Sequence, residues 1–186
     1  MKLLKRILIV ILFLALSGFL FRGWLYRNLV TYKSVGQRIT YLAKEERLVN
    51  YIEKSVADKK NAEALDIIKI GLSITSKKLK FTLSKNNNDP NKLINSEKAN
   101  CIGYAAFLAT TCNYLFKRYG IENTWIAEPQ AGQLYLLGNN IHTYFNSPFF
   151  KDHDFVIIKN KKSDEIFAVD PSINDYLYID FITYSY

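Results

Sequence analysis

Three side chains that could carry out acyl-transfer chemistry occur along this 186-residue chain in the order cysteine, histidine, aspartate. Cys101 follows a polar stretch and begins a run rich in Ala, Leu, Phe and Tyr that ends at Gly120. This pattern predicts a buried helix with Cys101 in its first turn. Unpaired N–H groups and the positive end of the helix dipole would there stabilise a thiolate and face an oxyanion. The position favours a nucleophile, although a cysteine that only fills the core could occupy it too.

A predicted β-hairpin brings a histidine and an aspartate together. If residues 160–163 form its four-residue loop, His153 lies directly opposite Asp170. Opposed side chains share one face of the sheet, with Cβ atoms about 4.5 to 5.5 Å apart. The carboxylate can then bind one imidazole nitrogen and leave the other for a thiol, which is the nucleophile, base and orienting residue of acyl-transfer sites. A change of register by one residue would place the two side chains on opposite faces.

Each partner also has a plainer interpretation. His153 stands where a surface histidine could begin a strand, and Asp170 precedes Pro171, so it could simply end one. His142, the other histidine of the chain, is a second candidate base, but no strand-paired carboxylate is evident for it. We expect His153 to be the base and Asp170 to orient it.

The second cysteine, Cys112, is expected to be a small buried apolar side chain. Along one helix it would lie about 16 Å from Cys101, beyond the Cα separation of about 7 Å that a disulfide tolerates. The chain has 2 histidines and lacks the cysteine or histidine spacings of zinc sites, and it has no glycine-rich phosphate loop. We therefore expect neither a metal nor a cofactor.

Three short motifs stand in order along the chain: Cys101-Ile-Gly-Tyr-Ala-Ala, His153-Asp-Phe-Val-Ile-Ile and Ala168-Val-Asp-Pro-Ser. Together they resemble the nucleophile helix, histidine strand and aspartate strand of the transglutaminase-like superfamily, over about residues 62–180. The resemblance implies a papain-type core in which Cys101 is the nucleophile, His153 the base and Asp170 the residue that orients the base.

The resemblance also implies a function. Ile102 replaces the Trp that follows the nucleophile in animal transglutaminases, Phe155 replaces a frequent Trp after the histidine, and Ala99 replaces a common glycine. These departures argue against cross-linking of the animal type, and bacterial members of the superfamily include peptidases and amidases. The resemblance therefore implies a thiol-dependent amide hydrolase, a peptidase or amidase, or an acyltransferase, acting on a peptide or protein amide through a Cys101 thioester. Two alternatives stay open: a catalytically inactive domain of this fold serving as a membrane-tethered binding module, and an arylamine acyltransferase.

The positive charge of the chain is confined to its N-terminal third. Residues 1–60 hold 12 Lys and Arg against 4 Asp and Glu, which is the whole net charge of +8, and residues 61–186 hold 13 of each. A basic stretch beside a bilayer attracts anionic lipid headgroups. This distribution favours a membrane partner and not a nucleic acid.

The N-terminus carries a hydrophobic segment. Its 15 uncharged residues, Ile7 to Phe21, cover about 22 Å, less than a hydrocarbon core of about 30 Å, but the flanking arginines can reach the interface. Trp24 and Tyr26 suit the membrane interface and favour an uncleaved signal anchor. The alternative is a signal peptide cleaved near residues 15–17, which would give a secreted protein. A short basic N-terminus favours an extracytoplasmic domain.

Hydrophobic periodicity places the remaining elements. It predicts an amphipathic helix over 38–57, a helix beginning after Asn61 and a long polar loop over 84–100. Predicted strands cover 124–127, 134–137, 155–158, 166–169 and 176–179. Helices come first and strands follow, so we expect an α+β fold with the nucleophile helix packed on an antiparallel sheet and a membrane helix in front. The expected parts are a signal anchor or signal peptide (1–28), a basic amphipathic linker helix (29–60) and a transglutaminase-like domain (61–186).

Overall fold

The computed structural model describes residues 2–185. The helices are α1 (Lys2–Leu20), α2 (Arg22–Leu29), α3 (Glu46–Ser55), α4 (Ala64–Lys78), α5 (Pro90–Leu93), α6 (Cys101–Arg118) and α7 (Pro171–Leu177). The strands are β1 (Val30–Gln37), β2 (Lys80–Phe81), β3 (Lys98–Ala99), β4 (Trp125–Leu136), β5 (Asn139–Asn140), β6 (His153–Asn160), β7 (Ile166–Val169) and β8 (Thr183–Ser185). Two 3-10 helices, Ile141–Tyr144 and Pro148–Phe150, lie between β5 and β6.

The central sheet has the strand order β7-β6-β4-β1-β8, and the short β5 pairs with β4. All of these pairs are antiparallel except β1 with β8, which is parallel, as is the separate β2–β3 pair. The predicted α+β class is confirmed, but the sheet is mixed and the expectation of an antiparallel sheet is wrong. The reason is that the chain leaves β7 at one edge, passes through α7 and adds β8 beside β1 at the other, in the direction of β1.

The main core lies between the helices and one face of the sheet. Helix α6 packs against α4 and against strands β4 and β6, and its first twelve residues except Ile102 are buried. A Cβ on Gly71 of α4 would lie 2.8 Å from Sγ of Cys112, so glycine lets the two helices approach closely. Helix α6 is therefore held rigidly at the centre of the domain.

A smaller apolar cluster covers the other face of the sheet. It consists of Tyr32, Phe155, Ile157, Ala168 and Ile182. The backbone N–H of Ile182, just before β8, donates to the carbonyl of Ala168 in β7 over 3.0 Å. The sheet therefore curls until its two edge regions touch, and the small cluster fills the space inside the curl.

Residues 29–60 differ from the predicted linker helix. Residues 30–37 are strand β1, in the interior of the sheet, and the helix begins only at Glu46. Leu48 and Ile52 of α3 are buried in the main core. This segment is part of the folded domain, because β1 pairs with β4 about a hundred residues later, which local periodicity does not detect.

The segment after Asp170 also differs from its prediction. The strand predicted at 176–179 is wrong, because residues 171–177 form helix α7. Asp170 caps this helix and Pro171 occupies its first turn, where a missing N–H costs nothing. The two strands predicted at 124–127 and 134–137 are parts of the single strand β4.

The first two helices project apolar side chains outward. Most apolar residues of α1 are exposed, and Trp24 of α2 is 59% exposed. Among residues 2–185 no single helix is long and apolar enough to cross a membrane. Leu4–Leu20 and α2 together have the required length and composition, with a bend of 72° between them.

Candidate functional site

Cys101 is the first residue of α6 and is only 6% exposed. Asn100 caps the helix, since its side-chain oxygen accepts the N–H of Gly103 at 3.2 Å. The first N–H groups of a helix have no partner within the helix, so this end presents donors and positive potential. The sulfur therefore lies at a position that stabilises negative charge.

The polar segment before Cys101 fixes the start of α6. Its two ends are joined by the β2–β3 pair, and α5 lies between them. A Cβ on Gly103 would lie 2.9 Å from Cβ of Ala99 and 3.1 Å from Cδ1 of Leu93. Glycine at position 103 thus lets this segment pack directly on the first turn of the helix.

His153 and Asp170 meet as a hydrogen-bonded pair. His153 Nε2 lies 2.6 Å from Asp170 Oδ2. The hairpin register differs from the predicted one by two residues, because Val156 pairs with Val169. A shift of two residues keeps every side chain on its face, whereas a shift of one would not. The pair is therefore formed, although Asp170 is diagonal to His153 and not directly opposite.

Asp170 is fully buried and accepts five hydrogen bonds. Oδ1 accepts the N–H and the hydroxyl of Ser172 and the N–H of Ile173, at 2.6 to 3.1 Å. Oδ2 accepts the hydroxyl of Tyr32 at 2.8 Å and a ring N–H of His153. Burial raises the pKa of Asp170, but the charge of His153 and these hydrogen bonds lower it below its ordinary value. The carboxylate is therefore ionised and fixed in orientation.

The electrostatics of the site favour a charged imidazole. Burial lowers the pKa of His153, but the charge and hydrogen bond of Asp170 outweigh burial and raise it well above its ordinary value. The side chain of Cys101 contributes in the same direction, through a hydrogen bond and through its electrostatic interaction with the ring. Cys101 is thus close to the imidazole, and Nδ1 is the ring nitrogen left for it, since Nε2 binds Asp170. A charged imidazole is the kind of neighbour that activates a cysteine as a nucleophile.

Tyr32 is a site residue that the sequence did not reveal. It is fully buried in β1, its ring contacts the ring of His153 with centroids 6.1 Å apart, and its hydroxyl donates to Asp170. The hydroxyl of Tyr26 in α2 lies 2.5 Å from that of Tyr32. The β-prone alternation around Tyr32 is the available signal, whereas the basic amphipathic pattern predicts a linker helix over 29–60. A chain of hydrogen bonds therefore runs from α2 to the imidazole.

Arg38 is a second unforeseen residue beside the site. Its Nε and Nη2 donate to the two carboxylate oxygens of Asp154 at 2.9 Å each, and Nη2 also donates to Asp152 at 2.7 Å. Asp154 is fully buried, and these two aspartates flank His153. Burial raises the pKa of Asp154 above its ordinary value, although Arg38 lowers it. Arg38 thus secures the start of β6. In the sequence, the two aspartates on either side of His153 were the signal for a basic partner.

The remaining candidates lie apart from this cluster. His142 is buried in the first 3-10 helix with Nδ1 2.7 Å from the carbonyl oxygen of Phe150, and within residues 2–185 no hydrogen bond joins it to Cys101 or Asp170. Cys112 is fully buried in α6, and burial raises the pKa of its thiol well above its ordinary value. In the same range no three His, Cys, Asp or Glu side chains are grouped so that they could hold a metal ion.

Comparisons with known proteins found no match: no protein-family model, no curated protein and no solved structure is similar to this chain.

Proposed function

We propose that the chain is a thiol-dependent amide hydrolase or acyltransferase with a papain- or transglutaminase-like core. One observation carries the proposal: Asp170 binds one side of the His153 ring, and Cys101, at the N-terminus of α6, interacts with the same ring. A nucleophile, a base and a residue that orients the base are the groups that acyl transfer requires. The substrate class that follows is an amide of a peptide or protein.

The proposed reaction has two steps. The Cys101 thiolate attacks the amide carbonyl carbon, and the new S–C bond gives an oxyanion that faces the N–H groups at the start of α6. The C–N bond then breaks, and the amine leaves with the proton of the His153 imidazolium. In the second step His153 removes a proton from water or an acceptor amine, which attacks the thioester and releases the acid or the new amide together with the Cys101 thiolate.

Thiol alkylation as a function of pH tests this proposal. A free thiol with a pKa of about 8.5 is almost fully protonated at pH 6 and reacts slowly there. We expect iodoacetamide to modify Cys101 at pH 6 at least tenfold faster than a free cysteine, and His153→Ala to remove that advantage. Cys112, followed by mass spectrometry in the same sample, is the internal control. The proposal would be contradicted if the alkylation rate of Cys101 rises only near pH 8.5 and if His153→Ala leaves that rate unchanged.

One observation favours a second candidate, a catalytically inactive binding module of the same fold. Only 6% of Cys101 is exposed, which limits access to the sulfur. The same alkylation experiment distinguishes the two functions, because Cys101 of an inactive module would not react as an activated thiolate at pH 6. Casein or another unfolded protein serves as a test substrate. If the wild type releases amines from it and Cys101→Ala does not, the inactive binding module is excluded.

We further propose that α1 anchors the domain to a membrane on the extracytoplasmic side, with secretion after cleavage as the alternative. The exposed apolar side chains of α1 and the basic residues around it support this placement. Extraction of membranes with alkaline carbonate tests it. An anchored chain stays in the pellet at its full length, whereas a cleaved chain is recovered in the soluble fraction without its first residues.

A further inference from the structure

Two turns of the chain are fixed against the two ends of helix α2. At its N-terminal end, Arg22 Nε donates to the carbonyl of Leu177 at 2.6 Å, and the guanidinium lies 5.9 Å from the ring centre of Tyr178, just after α7. At its C-terminal end, the carbonyl of Leu29 accepts the N–H of Leu137, in the turn between β4 and β5, at 2.8 Å. The end of α7 and the β4–β5 turn therefore flank this short helix.

Each of these turns places a large apolar side chain in solvent. Leu137 and Tyr178 are both 70% exposed. They are also the two non-glycine residues with positive φ among residues 2–185, at 50° and 54°. Glycine and asparagine are the usual residues in this left-handed conformation, because other side chains crowd the backbone there. A leucine and a tyrosine incur that cost without burial in the domain, and an apolar phase outside the domain would provide the burial.

Helix α2 turns one face toward the domain and one away from it. Tyr26 faces inward, with its hydroxyl bound to that of Tyr32. Trp24 is two residues earlier, about 200° round the helix, and is 59% exposed on the opposite face. Arg27, one turn after Trp24, is exposed as well. Tryptophan and arginine are favoured where acyl chains meet lipid headgroups, so the outer face of α2 suits a membrane interface.

The bend before α2 gives this helix its orientation. Its axis is inclined at 72° to that of Leu4–Leu20. With Leu4–Leu20 inserted close to the bilayer normal, α2 lies within about 20° of the membrane plane. The domain packs on the Tyr26 face of α2 and stays in water, so the Trp24 face is turned toward the lipid. The apolar phase that begins at α1 thus continues onto this side of the domain.

We propose that Trp24, Leu137 and Tyr178 form a membrane-contact surface, by which the domain rests on the headgroup region of the bilayer that α1 enters. The proposal rests on the proposed membrane anchor and goes beyond it, because an anchor alone does not require the β4–β5 turn or the end of α7 to touch lipid. The partner is a lipid bilayer, since the surface is continuous with α1.

Quenching of tryptophan fluorescence by brominated phosphatidylcholine tests the proposal in the full-length protein. The protein is reconstituted in vesicles of phosphatidylcholine and phosphatidylglycerol. Leu137→Trp and Tyr178→Trp are each made together with Trp24→Phe, and the signal of Trp125, measured in the chain with Trp24→Phe alone, is subtracted. Brominated acyl chains quench a tryptophan that reaches them, so we expect quenching at both positions at least about threefold stronger than at a control position in water.

Ile39→Trp is the matched control. Ile39 is 70% exposed, as Leu137 is, but it follows the opposite end of the eight-residue strand β1, about 25 Å away along the strand. We expect almost no quenching there. Leu136→Trp provides a second position in the β4–β5 turn if Leu137→Trp fails to fold, since Leu136 is 45% exposed and its φ is not positive.

Carbonate extraction of the same samples separates the two proposals. A chain that stays in the membrane pellet without quenching at positions 137 and 178 would overturn the contact surface and leave the anchor intact. Emission that shifts to the blue without quenching would place these positions against a second copy of the chain and would also overturn the surface, as would equal quenching at position 39. A chain that carbonate releases would overturn the anchor, and the contact surface with it.

Discussion

The hydroxyl of Tyr32 donates to Oδ2 of Asp170 over 2.8 Å, and His153 Nε2 approaches the same oxygen to 2.6 Å. Burial and the neighbouring Asp170 charge both raise the pKa of Tyr32 well above its ordinary value, so this hydroxyl stays a donor at physiological pH. Strand β1 therefore holds the carboxylate independently of the hairpin that carries the histidine.

Tyr32→Phe tests the role of this contact. Loss of the donor should slow alkylation of Cys101 at pH 6 about tenfold and reduce stability by about 1 to 3 kcal/mol. The Tyr32 hydrogen bond lowers the pKa of Asp170, so the acid limb of the alkylation profile should move to higher pH. Tyr178→Phe, at a position 70% exposed, is the control. An unchanged acid limb would show that Tyr32 only fills the core.

Asp170→Asn should change how stability depends on pH. The folded-state pKa of Asp170 lies below its ordinary value of about 3.9. Ionised Asp170 therefore stabilises the fold above about pH 4, and this contribution is lost as the pH falls through the folded-state pKa. Breaking a buried pair typically costs about 3 to 5 kcal/mol, and we expect a loss of that size at pH 7.

Urea unfolding between pH 2 and 7 measures this effect. The wild-type and Asp170→Asn curves of unfolding free energy should converge toward the acid end. Asp180→Asn, at an exposed position, should follow the wild type throughout. Wild-type and Asp170→Asn curves that stay parallel down to pH 2 would mean that Asp170 is not a stabilising anion.

Arg38→Gln should destabilise the domain, because it leaves the fully buried Asp154 without its cation. We expect a loss of about 3 to 5 kcal/mol in the free energy of unfolding at pH 7. Adding Asp154→Asn removes the uncompensated charge and should recover at least half of the loss. Arg47→Gln, which removes an exposed hydrogen bond to Asn95, is the control. A double variant no more stable than Arg38→Gln would argue against the pairing.

Gly132→Ala should disturb the strand next to the site. A Cβ there would lie 2.4 Å from Cε1 of Phe155, and Gly132 is the register partner of His153. Overpacking of this kind costs about 1 to 3 kcal/mol, and Phe155→Leu in the same chain should relieve part of it. Gly36→Ala in β1, where a Cβ meets nothing within 4 Å, is the matched control. Equal midpoints for the two alanine variants in urea would contradict the crowding.

The contact between His153 and Asp170 could be predicted from sequence because it requires only that both side chains point to the same face of the sheet. It does not require the exact register. The register of the hairpin differs from the predicted one by two residues, yet both side chains stay on one face. Likewise, the extent of α6 follows from an unbroken helical pattern that ends at a glycine, which is local information.

The contacts of Tyr32 and Arg38 could not be predicted in this way. Both residues reach the site because β1 pairs with β4, and their partners are 138 and 116 residues distant along the chain. Helix α7 differs from the strand predicted there for another reason. Asp170-Pro171 suits a strand end and a helix start equally well, and only the buried surroundings of Asp170 select the helix cap.

Helix α2 runs into β1 without an intervening loop, since the residue that caps the helix, Val30, is the first residue of the strand. A flexible tether of n residues would let a domain explore about 5 to 6 Å times the square root of n from its attachment point. With α1 as the proposed anchor, this domain has no such tether and would work at a fixed height above the bilayer. Its substrates would have to come to the lipid surface, which favours chains that are themselves held there.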